Sequence, residues 1–147
     1  MPDFCEMPAS NATTAEIADI LRTSRTIAVV GLSDKPERDS HHVAAYLQQQ
    51  GYRIIPVNPA VSTVLGEKSY ARLEDVPEKI DVVDVFRKAD AVPEVVDAAI
   101  AVGAKVVWLQ EGIVHNAAAE KARAAGLRVV QSRCMLKEHL KLKATEK

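Results

Sequence analysis

Five short apolar runs punctuate the chain, and each is followed by a stretch with helical spacing. The runs are Thr26–Gly31, Arg53–Val57, Asp81–Phe86, Lys105–Leu109 and Leu127–Val130. They are dominated by β-branched residues and do not alternate with polar ones. That pattern predicts strands buried on both faces, as in a parallel sheet covered by helices. Between them, Val43, Ala44 and Leu47 make one stripe over 40–50, and Gly51 stops it. Val92, Val95, Val96 and Ile100 do the same over 90–102, ending at Gly103. Residues 116–125 are rich in alanine, the best helix former, and end at Gly126. A further helix is expected near the N-terminus, where Thr13 and Glu16 have capping-box spacing ahead of Ile17, Ile20 and Leu21. Residues 59–80 are less regular and read as loop with a short helix. The expected fold is α/β, a single doubly wound open parallel sheet of five strands, Rossmann-like. By analogy with the mononucleotide-binding half, the strand order is expected to be 3-2-1-4-5. The domain is expected over 13–140, between a flexible tail at 1–12 and a C-terminal tail at 141–147.

Composition narrows the function classes. The 147 residues carry 19 Lys+Arg against 20 Asp+Glu, a net charge of −1, which argues against a general nucleic-acid or polybasic membrane surface. No apolar run reaches the roughly 18–20 residues that cross a bilayer. The N-terminus lacks a basic and then apolar leader pattern, and two isolated cysteines, Cys5 and Cys134, suit a reducing compartment. A cytoplasmic protein is expected.

In an open α/β sheet, ligands lie beyond the carboxyl ends of the strands, where strand order reverses. With the expected order, that crevice falls between the first and fourth strands. Gly31 allows a tight exit from the first strand, and Ser33, Lys35 and Arg38 follow. Ser40 is read as the N-cap of the next helix, whose free amides would favour an anion. The ends of the second and third strands supply Val57, Asn58 and Pro59, and Phe86, Arg87 and Lys88. Lys35, Arg38, Arg87 and Lys88 would make a local positive mouth. Arg53 lies at the opposite end of its strand. The dinucleotide fingerprint G-x-G-x-x-G is absent, because Ser33 and Pro36 stand in this loop after Gly31. Its acidic partner after the second strand is also absent, with Asn58 there. A Walker A pattern is missing too. NAD and nucleotide hydrolysis are therefore disfavoured.

Several segments together carry a resemblance. They are Val30-Gly31-Leu32-Ser33, Arg38-Asp39-Ser40, Pro56-Val57-Asn58-Pro59, Val83-Asp84-Val85-Phe86-Arg87, Trp108-Leu109-Gln110-Glu111-Gly112-Ile113 and Arg133-Cys134. From Thr14 to His139 the chain resembles the small single-domain CoA-binding proteins. These are similar to the CoA-binding N-terminal domain of the succinyl-CoA synthetase α subunit. The resemblance implies coenzyme A as the ligand. It implies backbone amides of Gly31, Leu32 and Ser33 at the pyrophosphate, with Arg38 and Ser40 beside them. The Pro56–Pro59 segment would wall the adenosine, with Asn58 free to hydrogen-bond. Phe86 and Arg87 would border the adenine or touch phosphate, and Gln110, Glu111, Gly112 and Ile113 would lie near the pantetheine. Ser132 and Met135 depart from the family pattern, which often has an acidic or amide residue and a proline there.

Other chemistry is weaker. Cys134 precedes the last helix and could meet the sulfur end of the ligand, or be a small buried apolar residue. His41 and His42 point about 100° apart on a helix and would not share a metal, so no metal site is expected. Asn116 is read as the cap of its helix, with His115 before it. Glu111 is the best candidate acid or base, against a plain loop carboxylate bonding a helix amide. Trp108 reads as core. The leading reading is a non-enzymatic module that binds coenzyme A or an acyl-CoA for sensing, carriage or regulation. The alternatives are an NAD(P)-dependent oxidoreductase, a CoA-transfer enzyme, or an interaction protein with a decayed site. The oligomeric state stays open, a homodimer included.

Overall fold

The computed structural model describes residues 7–146, so Cys5 and the first half of the expected N-terminal tail lie outside the described residues. Helix α1 (Thr14–Thr23) opens on the predicted capping box: Thr13 Oγ1 accepts from Glu16 N, and Glu16 Oε1 accepts from Thr13 N. The chain then runs through β1 (Thr26–Val30), α2 (Asp39–Gln49) and β2 (Arg53–Val57). A small hairpin of β3 (Thr63–Val64) and β4 (Glu67–Lys68) follows, and then a short 3-10 turn, Leu73–Asp75. The rest is β5 (Val82–Val85), α3 (Val92–Ala101), β6 (Val106–Leu109), α4 (Asn116–Ala124), β7 (Arg128–Val130) and α5 (Met135–Thr145). Among the described residues, no helix is long and apolar enough to cross a membrane.

The α/β class and the five parallel strands are as the sequence predicts. The order is β2-β1-β5-β6-β7. Counted along the main sheet this is 2-1-3-4-5, so the third strand sits beside the first rather than outside the second. The reason lies at the outer edge of β2. Tyr70 N donates to Pro56 O, Asn58 N donates to Tyr70 O, and Ser69 Oγ donates to Asn58 O. The link after β2 thus occupies that edge, and the next strand takes the free side of β1. Pro56, which has no N–H to give, is tolerated because β2 is the edge strand of the main sheet. The switch point therefore falls between β1 and β5, not between the first and fourth strands.

The strands divide their side chains between two apolar layers. Ile27, Val29, Val82, Trp108 and Val130 pack under α1, α2 and α5. Ala28, Val30, Val83, Val85, Val107 and Val129 pack under α3 and α4. Trp108 is fully buried, and its indole N–H donates to Arg133 O at 2.8 Å, tying the β7–α5 loop to the sheet.

Both expected tails are shorter than read. Asn11 accepts from Gln131 N and donates to Gln131 O, both at 2.9 Å, and Ala9 N donates to Asn116 Oδ1. Residues 9–12 are thereby fastened to the end of β7. At the other terminus α5 continues through Thr145, and Arg22 pairs with Glu146 at 2.6 Å. Replacing Asn11 by alanine removes two side-chain bonds to Gln131 and is expected to cost about 1–2 kcal/mol in urea unfolding. A loss below about 0.5 kcal/mol would mean that water replaces the amide.

Candidate functional site

Two adjoining cavities open over the carboxyl ends of β1, β5 and β6. The smaller, about 330 Å³, is lined by Gly31, Ser33, Glu37, Arg38, Asp39, Ser40 and Phe86. The larger, about 730 Å³, adjoins it at Asp39 and Phe86. Arg87, Lys88, Gln110, Glu111, Gly112 and Ile113 wall it from the sheet side. Helix faces complete it with His42, Val43, Cys134, Leu136 and Lys137.

Gly31 has φ +88°, and a β-carbon there would stand 2.6 Å from Phe86 O. Only glycine lets the two loops approach this closely. The loop amides are arranged differently from the expectation. Gly31 N donates to Val57 O, and Ser33 N donates to Ser40 Oγ at 3.0 Å. Ser40 is buried in the first turn of α2 rather than capping it. The N-cap is Arg38, and no side chain caps this helix. With Gly31 N and Ser33 N engaged, the first-turn N–H groups of α2 are the donors that stand open at this end of the helix. Arg38 stands beside them. Glu37 and Asp39 share the small cavity, so Arg38 and the helix end, not net charge, would select an anion.

Lys35, Arg38, Arg87 and Lys88 are exposed, and none is in an ion pair with another described residue. Lys35 lines neither cavity. Leu32 is fully buried, and its carbonyl accepts from Asn58 Nδ2 at 2.9 Å. Asn58 Oδ1 accepts from Ala60 N. Asn58 therefore ties two loops together, and neither it nor Pro59 reaches the cavities. Val57 and Arg87 line a separate groove beside α3.

On the far wall Glu111 pairs with Lys137 at 2.9 Å across the cavity mouth. That pair replaces the helix-amide bond considered for it, and it holds the Lys137 ammonium above its ordinary range. Gly112 N donates to Ser132 Oγ at 3.0 Å, and Ser132 takes φ +53° to make this possible. His115, not Asn116, caps α4, its Nδ1 accepting from Ala118 N. Cys134 is half-buried and stands immediately before α5 on the wall of the larger cavity. Among the described residues no cluster of three metal-binding side chains exists.

The strand-end reading missed Asp39, Val43, Leu136 and Lys137. These belong to helix faces, and their direction follows only once α2 and α5 are placed on one side of the sheet. It also missed the setting of Asp84, which is 0% exposed below the larger cavity wall and bonded through Oδ1 to Gln110 Nε2. Burial pushes its carboxyl up to about 7, and the Gln110 bond opposes this only in part.

The fold and its cavities define an α/β protein with one main parallel sheet, an uncapped helix end at the switch point and a larger cavity of mixed polar and apolar lining beside it. The chain belongs to the CoA-binding domain family, whose characteristic sequence matches residues 25–140. It is 40% identical over 129 residues to the uncharacterised protein YneT of Bacillus subtilis (strain 168), covering 88% of this chain and 96% of that one. A solved structure of a hypothetical protein from Pyrococcus horikoshii OT3 is 44% identical, with a TM-score of 0.88. That match covers 97% of this chain and 99% of the other. The apo dinucleotide-forming acetyl-coenzyme A synthetase 1 of Ca. Korarchaeum cryptofilum is 26% identical with a TM-score of 0.64, over 76% of this chain and 27% of its own.

Proposed function

We propose that the chain binds coenzyme A or an acyl-CoA across the β1/β5 crevice, as a sensing, carrying or regulatory module without chemistry of its own. The observation that carries this is the junction of the two cavities. A polar pocket at an uncapped helix end adjoins a larger cavity whose lining combines Val43, Phe86, Ile113 and Leu136 with charged groups at Arg87, Lys88 and Lys137. That shape suits a ligand with a phosphorylated head and a long uncharged arm. In this reading Arg38 and the α2 amides take phosphate, and Arg87 and Lys88 meet the remaining charge. The arm passes Gln110 and Ile113 toward Cys134.

The test is calorimetric titration of ligand-stripped protein with coenzyme A and then with NAD at the same salt. Micromolar or tighter binding of coenzyme A with no NAD response is expected. Binding of NAD alone would overturn the reading. Arg38→Ala should weaken coenzyme A by about 1–3 kcal/mol through lost charge-assisted bonds. An unchanged affinity in that variant would remove Arg38 from the site.

A further inference from the structure

Asp84 lies in the middle of the sheet, in register with Val29 of β1 and Trp108 of β6. Both neighbours are fully buried and apolar, as is the layer that Trp108 packs in. A carboxyl in such a place costs several kcal/mol unless it is well paired. Here only one oxygen is paired. Oδ1 accepts from Gln110 Nε2, and Oδ2 has no partner among the described residues. Packing does not require an acid at this position. The chemical link leads outward, because Gln110 is 4% exposed and lines the larger cavity.

An ionised carboxylate only accepts hydrogen bonds, so it fixes the sense of the amide that meets it. When Asp84 is ionised, the Gln110 NH₂ must face it, and this is the sense of the bond in the structure. The two ends of an amide diverge, so Oε1 is turned away from Asp84; it is not among the buried atoms without a partner, and the side chain that carries it lines the larger cavity.

We propose that Asp84 is a positioning residue: through Gln110 it fixes a carbonyl acceptor in the cavity wall, which selects a ligand arm carrying an N–H or O–H donor at that depth. The inference rests on the coenzyme A reading, for which the donor is an amide N–H of the pantetheine arm. A donor on Oε1 polarises the amide and strengthens its N–H bond to the ionised acid. Arm binding and proton loss from Asp84 are therefore coupled. Affinity for the arm rises with pH as Asp84 ionises.

The other titratable groups at this cavity are Asp39 and His42 on α2, Cys134 just before α5, Lys137 on α5, and Arg87, Lys88 and Glu111 in the loops. None of them contributes to the displacement of Asp84, which comes from burial and the Gln110 N–H alone.

The experiment titrates the wild type, Asp84→Asn, Gln110→Met and the double variant with two ligands between pH 6 and 8. The ligands are coenzyme A and adenosine 3′,5′-bisphosphate, the nucleotide end without the arm. The amide introduced by Asp84→Asn can turn either of its ends to Gln110, so the acceptor is no longer fixed. Each single variant is expected to bind coenzyme A about tenfold more weakly at pH 8. The double variant should lose no more than the weaker single one, because both act through one contact. The gap between the wild type and Asp84→Asn should widen from pH 6 to pH 8. Affinity for the bisphosphate should be the same in all four proteins, which also reports that they fold. If Asp84→Asn binds coenzyme A as the wild type does, this inference fails while the coenzyme A reading stands. Equal losses for both ligands would make Asp84 merely structural and overturn it as well. A wild type that binds neither ligand overturns the coenzyme A reading and the inference with it.

Discussion

Replacing Gly31 by alanine should destabilise the protein by roughly 3 kcal/mol and lower its melting temperature by about 6–12 °C. Coenzyme A binding should be lost in the same variant. Two effects add. The residue sits at φ +88°, which costs an L-residue about 1–2 kcal/mol. The new β-carbon would also lie 2.6 Å from the carbonyl oxygen of Phe86. That oxygen cannot swing aside as a side chain could. Phe86 N donates to Val30 O at 2.9 Å, so the two strand ends are locked in register. Relief requires prising apart the two loops that form the crevice. Gly103 provides the control, since it has φ +74° and open space where a β-carbon would go. Gly103→Ala should cost only about 1–2 kcal/mol and leave binding intact. Equal losses in the two variants would show that backbone strain, not the approach to Phe86, sets the requirement for glycine.

Between pH 5 and pH 8 the stability of the wild type should fall, opposite to the usual behaviour of a protein held by salt bridges. The cause is Asp84. Its carboxyl has a value of 3.8 in the open chain and about 7 when folded. A raised acid contributes its stability below the unfolded value and loses it as pH rises through the folded one. The whole loss is at most about 4 kcal/mol, of which about 3 kcal/mol falls between pH 5 and pH 8. Other groups act elsewhere or oppositely. Asp81, Glu16 and Glu78 are held below their ordinary values, so their contributions fade only as pH falls into the acid range. His139 is lowered by burial, so its contribution grows as pH rises through the ordinary histidine range. Urea unfolding across this window should show the net fall. Asp84→Asn should abolish it, leaving the rise from His139, and should be more stable than the wild type at pH 8. A wild-type stability that climbs from pH 5 to 8 would mean that Asp84 is ionised without penalty. The same substitution is expected to weaken the arm contact, so the acid would trade stability for binding.

Much of the fold was legible because its signals are local. Runs of β-branched residues mark strands buried on both faces, and Gly51, Gly103 and Gly126 mark the helix ends. Thr13 and Glu16 mark the start of α1 by their spacing alone. Strand order was not legible, because it depends on the link after β2 lying along Pro56 and Asn58. The β3–β4 hairpin was hidden for a different reason. Its turn needs positive φ at two residues, and Leu65 takes φ +55° beside Gly66, where a leucine gives no turn signal. In the site, strand-end counting found Gly31, Arg38, Phe86 and Gln110 through Ile113. It could not tell that Leu32 turns into the core or that Asn58 spends its amide on Leu32 and Ala60. Nor could it find walls supplied by helix faces, such as Val43 and Lys137. Asp84 stood in view within an apolar run, but its bond to Gln110 joins two strands and exists only in the folded sheet.

The fastening of Asn11 to Gln131 also bears on how the molecule behaves in company. A sheet margin is a row of backbone donors and acceptors that can template a foreign strand. At one margin β7 has only three residues, and just beyond them the Asn11 amide engages both backbone groups of Gln131. At the other, Tyr70 covers Pro56 and Val57. The carboxyl ends of both margins are thus covered from within the same chain. Opening the Asn11 clasp would lengthen the bare margin beside β7 and is the step that would favour strand-by-strand aggregation.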